Sequence, residues 1–196
     1  MPHRIYHTDA IVLAALPRGE ADRAYDLYTR ELGCVRADAR SIRREASRLR
    51  YALQTFAHAE VDLVRGKRGW RITSARPVDL HRAAWGDPRR RVVLAAIARL
   101  VLRLVQGEGA DPELHAALVR EIALLADTPL EPDALADREC VALVRILSAL
   151  GYWDALGEWG YIVDHALDDA SVLARVRTER RALIGKINAI LKETQL

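Results

Sequence analysis

From Ala57 to Val78 the chain alternates apolar and polar residues with a period of two, a pattern that fits a half-buried strand and not a helix. Ala57, Ala59, Val61 and Leu63 alternate with His58, Glu60, Asp62 and Val64. Beyond Arg65-Gly66-Lys67-Arg68-Gly69, the residues Trp70, Ile72, Ser74, Arg76 and Val78 continue the alternation. Two such runs around a glycine-bracketed turn predict a β-hairpin, and its tip is basic.

The residues before it supply further strands. Ile5 to Leu16 ends in the unbroken apolar run Ala10–Leu16, stopped by Pro17, which predicts a buried strand. Residues 22–32 fit either state: Tyr25, Tyr28 and Leu32 have helical spacing, whereas Tyr25, Leu27 and Thr29 have strand spacing, and Gly33 closes the segment either way. A strand over 35–42 is followed by a short amphipathic helix, read from Ile42, Ala46, Leu49, Leu53 and Phe56. Residues 5–78 therefore read as five short strands with one small helix before the fourth. That is the element count of a small closed barrel of the OB type, although periodicity alone also allows a small open sheet.

After Pro77 the texture changes. His81 to Arg91 forms a junction containing Gly86 and Pro88, and residues 92–105 are apolar on most sides, as expected for the central helix of a bundle. Asp111-Pro112 predicts a helix start, followed by Leu114, Leu118, Ile122 and Leu125. Asp137 is expected to cap a further helix carrying Val141, Val144, Leu147 and Leu150. Asp168-Asp169 is expected to cap a last one carrying Val172, Val176, Leu183, Ile187 and Ile190, with Gly185 as its weak point. Residues 152–170, with Trp153, Trp159 and Tyr161, resist assignment. The expected fold class is α+β in two parts: a five-stranded OB-fold barrel over 1–80, then an all-α helical domain over 81–196.

Charge divides the same way. Residues 1–91 hold 19 Lys and Arg against 11 Asp and Glu, a balance of +8, and residues 92–196 hold 11 against 16, a balance of −5. An anionic polymer would therefore meet the first half. Its densest segment, Arg36 to Arg50, carries Arg36, Arg40, Arg43, Arg44, Arg48 and Arg50 against Asp38 and Glu45. As a strand it turns Arg36, Arg40 and Arg44 outward and Val35, Ala37 and Ala39 inward; as a helix it also gathers its arginines on one face. Guanidinium groups on one face suit phosphates, being charged at every relevant pH and matching phosphate oxygens with a planar fork.

Other chemistry is thinly supported. His3, His7, His58, His81, His115 and His165 form no metal-ligand spacing, and Cys34 and Cys140 form no CxxC pair, so neither a metal nor a cofactor is expected. Arg36 stands near Cys34 and could lower its pKa, but no base accompanies it. Phosphate-cradling glycine motifs and the nucleophile elbow are absent, and no enzyme is expected. No apolar run reaches the roughly 18 residues of a membrane span, and no signal peptide is visible, which points to the cytoplasm.

Several stretches together resemble the RecO family, the bacterial recombination mediators of DNA repair. They are residues 10–33, with Gly19-Glu20-Ala21-Asp22 after the first strand and a Thr29-to-Gly33 turn; residues 47–78, with Ser47, Leu53 and Phe56; and Leu147 to Trp153. The likeness is close over roughly the first 80 residues and looser over the next 75. It implies an OB-fold followed by helices and no turnover. It also implies binding of single- and double-stranded DNA, strand annealing, and loading of RecA together with RecR and the single-strand-binding protein, in the cytoplasm at the nucleoid. The family's basic DNA-contacting surface falls here on Arg36, Arg40, Arg43, Arg44, Arg48, Lys67 and Arg68, with Arg50 beside them. Many members carry a four-cysteine zinc site after the Leu-Gly-Tyr stretch; here that place reads Trp153 to Ala166 with no cysteine, and the chain is short for the family. Arg99, Arg103 and Arg120 are candidates for holding the acidic tail of the single-strand-binding protein. The alternative expectation is a non-enzymatic adaptor whose helical half docks protein partners, suggested by the −5 balance and by Trp153 and Trp159.

Overall fold

Five strands close into a barrel in the order β1-β2-β3-β5-β4, the arrangement of an OB-fold. They are β1 (Ile5–Arg18), β2 (Asp22–Thr29), β3 (Gly33–Ala39), β4 (His58–Gly66) and β5 (Gly69–Asp79). The computed structural model describes residues 4–18, 20, 22–40, 42, 48–105, 107–129, 132–164 and 168–194. Closure depends on the length of β1. Its first half pairs with β4 (Ile5↔Val64 to Ile11↔His58) and its second with β2 (Ala10↔Thr29 to Arg18↔Asp22), around a register shift between Val12 and Ala14. Pro17 does not stop the strand, which runs to Arg18. Past Val12 only β2 lies beside it, so the missing proline N–H interrupts no second ladder.

The unbroken apolar run in β1 has a simple cause: both faces are buried. Ala10 and Val12 point into the barrel with Tyr25, Leu27, Val35, Ala37, Val61, Leu63 and Ile72, whereas Ile11 and Leu13 point outward with Tyr28 and Phe56 against the helices. Residues 22–29 form a strand for the same reason, and Tyr25 and Tyr28 serve opposite faces. Each such large apolar side chain, removed from water, contributes on the order of 1.5–3 kcal/mol.

Two expectations in this half are corrected. β3 ends at Ala39, short of the Ile42 expected, and of the short helix expected after it the described part is α1 (Arg48–Ala52), while Ile42, Leu53 and Phe56 lie outside it. Ile42 and Leu53 instead fill the barrel core, while Phe56, at φ +70°, joins the seam with the helices. In β5 the alternation does not continue through Ser74, Arg76 and Val78. Leu63 faces Ile72 but Asp62 faces Ser74, so Thr73 is an extra residue and Ala75 turns to the core side in place of Ser74.

The helices are α2 (Arg82–Gly86), α3 (Pro88–Leu104), α4 (Pro112–Asp127), α5 (Pro132–Ala149) and α6 (Asp169–Glu193), with a 3-10 turn at Gly160–Ile162. α3 begins a turn earlier than residue 92, because the Asp87 carboxylate accepts from the Arg89 N–H at 2.9 Å and Pro88 fills the first helical position. It is the shared helix: Leu94, Ile97 and Val101 meet the barrel seam, while Leu100 and Leu104 meet the core of α5 and α6. Asp111 and Asp168 cap α4 and α6 as expected, accepting from Leu114 N and Ser171 N, each at 2.9 Å. Asp137 is no cap. It lies inside α5, fully buried, and takes Arg177 and Arg180 of α6 at 3.0 Å each.

The connection from α3 to α4 is fastened to the barrel. Gly109 N donates to Leu32 O at 3.1 Å, Glu108 bridges to Gly33, and Glu108 also accepts from Trp70 Nε1 and Arg65, both at 2.9 Å. Gly33 has φ +70°, and a Cβ there would lie 2.3 Å from Gly109 O. Among the described residues no helix is long and apolar enough to cross a membrane.

Candidate nucleic-acid interface

The outer face of β3 and the tip of the β4–β5 hairpin meet at one end of the barrel. Strand alternation turns Val35, Ala37 and Ala39 inward and leaves Arg36 and Arg40 exposed, as the period-two reading expects. β5 runs parallel to β3, pairing Ala37 with Trp70 and Asp38 with Arg71. The hairpin tip therefore stands beside the end of β3. Its turn residues Lys67 and Arg68 need no positive φ because Gly69 takes it, at +108°, so two long cationic side chains can occupy the tip.

The result is a cleft of about 400 Å³ lined by Arg40, Lys67, Arg68, Arg71, Asp38 and Trp70 among others. Arg40, Lys67, Arg68 and Arg71 are exposed, and among the described residues none of the four has an ion-pair partner. Asp38, the carboxylate in the cleft, is engaged by Arg18 at 2.7 Å. Four exposed cations around one opening, unpaired among the described residues, attract an anion of matching charge density, and a phosphodiester backbone presents one.

The other sequence candidates fall elsewhere. Arg36 shares the β3 outer face but is held by Asp26 of β2, through Nε at 2.6 Å and an NH2 at 2.9 Å, and this hydrogen-bonded carboxylate raises its pKa. Its register partner across the ladder is that same Asp26. Arg50 projects from α1 into a separate pocket. Arg43 and Arg44 lie outside the described residues, as does the side chain of Arg48. Arg71 was missed by sequence reasoning, although its polar position between Trp70 and Ile72, next to a basic tip, marks it.

Of the residues considered for the acidic tail, Arg99 and Arg103 are exposed one turn apart on α3, and Arg103 donates to Leu191 O at 2.8 Å. Arg120, on α4, stands 3.4 Å from Asp169. Trp153 is buried, and Trp159 donates to Glu179 at 2.8 Å, so this pair belongs to the helical core.

The cysteine expectation is corrected as well. Burial, with Asp26 adding to it, pushes the Cys34 thiol up to about 11, and Arg36 gives it no relief because its guanidinium is turned to Asp26. Asp79, His81 and Asp127 bring possible ligand atoms within 4.8 Å of one another. His81 Nδ1 and Asp127 are, however, 2.6 Å apart, a hydrogen bond that ties the barrel's exit to the end of α4. Two atoms that close leave a bound cation little room between them.

Residues 1–81 match the family described as "Recombination protein O N terminal". The chain is similar to the DNA repair protein RecO of Heliobacterium modesticaldum, 37% identical over 150 residues that make up 76% of this chain and 52% of that protein. It is also similar to the DNA repair protein RecO of Desulfitobacterium hafniense, 29% identical over 155 residues, 79% of this chain and 55% of that protein. The chain thus spans about half the length of the curated relatives it matches.

Proposed function

The chain belongs to the RecO family, and from that premise we propose that it is a DNA-binding recombination mediator whose barrel holds strand phosphates in the Arg40–Lys67–Arg68–Arg71 cleft. The observation that carries the reading is the pairing state of these four cations: they face solvent together and, among the described residues, have no carboxylate partner, while neighbouring Arg18, Arg36 and Arg65 are each engaged. Contacts of this kind go to the backbone and not to base edges, so they suit single- and double-stranded DNA alike. Screening the phosphates of two complementary strands on one surface also lowers their mutual repulsion, which is what annealing requires. The finer parts of the reading are cooperation with RecR, contact with the tail of the single-strand-binding protein, and loading of RecA; they rest on the family likeness. No covalent chemistry is part of it.

Fluorescence anisotropy against labelled single- and double-stranded oligonucleotides across a salt series tests it. Wild type should show a steep slope of log affinity against log salt, of roughly −0.7 per phosphate neutralised on single strands. Lys67→Glu with Arg68→Glu and Arg71→Glu should flatten that slope. An unchanged slope in a folded triple variant would falsify the assignment of the cleft.

A further inference from the structure

A second opening lies away from the hairpin tip, between α1 and α2. It has a volume of about 500 Å³, and Arg23, Arg50, Tyr51 and Trp85 are among its lining residues; among the described residues that line it there is no carboxylate. α1 lies against the barrel core through Leu49, with Leu53 just beyond it, and this leaves Tyr51 turned outward and about half exposed (49%). Trp85 of α2 is 41% exposed across the same opening. Two aromatic faces left in water at one pocket are a departure from their usual burial.

The arrangement is built, not incidental. The Arg82 guanidinium lies over the Tyr51 ring, 5.6 Å from its centroid, and donates to its hydroxyl, which fixes the ring's orientation. Arg23, also among the lining residues, lies close enough to the Tyr25 phenol to oppose the rise in its pKa that burial causes. On its other side Tyr51 borders a groove of about 670 Å³ lined by Thr73, Ser74, Ala75, Arg76 and Pro77 of β5. That strand continues directly to Arg71 and the basic cleft, about 20 Å away along an extended chain.

We propose that the Tyr51–Trp85 pocket is a nucleobase site: unpaired bases of a single strand stack on the two rings while Arg23, Arg50 and Arg82 hold the flanking phosphates. The inference rests on the DNA-binding reading above and adds a base-contacting station at the far end of the β5 track. Stacking on aromatic faces accepts any base, so the site discriminates unpaired from paired strands and not one sequence from another. Charge complementarity calls for an anionic chain, and the two exposed aromatic rings together with continuity with the basic cleft select a nucleic acid over an acidic peptide as the occupant.

The test compares a single-stranded dT oligonucleotide with an abasic oligonucleotide of equal length, by anisotropy on the full chain. Wild type should prefer dT by about tenfold or more. Tyr51→Ala with Trp85→Ala should abolish that preference and leave abasic binding unchanged, whereas the Lys67, Arg68 and Arg71 triple variant should weaken both and keep the preference. As an independent readout, dT should quench a part of the tryptophan emission that is missing in Trp85→Phe. Equal wild-type affinity for dT and abasic strands overturns the base site while leaving the phosphate cleft standing. So does a dT preference that survives the double substitution, or capture of a glutamate-rich peptide in the pocket without any dT preference. Failure of wild type to bind either strand overturns both readings.

Discussion

The hairpin tip and the helical core use the same residue for opposite ends. In the helical half, Arg90, Arg138 and Arg145 are buried, and their charge is spent internally. Arg145 donates to Ile162 O at 2.9 Å, to Glu121 at 3.0 Å and to Asp169 at 3.0 Å; Arg138 reaches Asp169 at 3.2 Å; and Arg90 donates to Leu125 O, Ala126 O and Thr128 O at the end of α4. At the hairpin tip Arg40, Arg68 and Arg71 stand in solvent with Lys67, without a partner among the described residues. A count of charges by segment does not separate these roles. Pairing does, and pairing depends on register and packing.

The contrast makes the same kind of substitution costly in one place and silent in the other. The largest effect should come from Arg145→Ala, which strands Glu121, only 1% exposed, beside a vacated guanidinium site. A loss of about 3–5 kcal/mol in urea unfolding is expected for a buried pair broken on one side, and a loss under about 1 kcal/mol would mean that water or Arg138 replaces it. Arg90→Ala should follow. It removes three charge-assisted bonds from the carbonyl end of α4, and a loss of about 2–3 kcal/mol is expected from calorimetry at fixed pH.

Acidification should come next, acting at the seam between the two regions. Burial lowers the pKa of His58, against Asp9, Asp79 and Glu60, which raise it, and with His81 lowering it further. Burial also lowers that of His115, with His58 and Arg30 lowering it too and Asp9 and Glu31 opposing. Both imidazoles are therefore neutral in the folded chain at a pH where the unfolded chain already binds protons. Stability should be full above the unfolded value of about 6.5 and fall as pH drops below it. Thermal midpoints at about pH 8 and about pH 5 should differ in wild type and differ less in a His58→Gln, His115→Gln variant. A pH response unchanged in that variant would place the acid sensitivity elsewhere. The smallest effect on stability should come from Lys67→Glu with Arg68→Glu and Arg71→Glu: within about 0.5 kcal/mol each, while the salt slope of DNA binding falls by about 2.

Much of this was legible in the residues. The hairpin, the five-strand count, the caps at Asp111 and Asp168, and the outward placement of Arg36 and Arg40 all follow from period and turn chemistry, which are local. What escaped depends on distant partners. Nothing near Arg36 reveals that Asp26 will sit opposite it, and nothing near Asp137 reveals two arginines about forty residues later; an aspartate ahead of an apolar run looks like a cap until α6 arrives. Ile42, Leu53 and Phe56 have helical spacing yet face the barrel core and the seam, because residues bound for two destinations in space happened to match one period. The extra residue at Thr73 carries no turn signal at all, and it decides which half of β5 faces outward.

The contact between Gly33 and Gly109 has a mechanical corollary. One hydrogen atom's width separates the β2–β3 turn from the strap between α3 and α4, and a methyl group would not fit there. At that point barrel and helices are riveted backbone to backbone. A load on the hairpin tip would have a short path through Trp70 and Glu108 to this junction. The molecule would answer such a load as a stiff bracket, and a single methyl at position 33 would be enough to loosen the rivet.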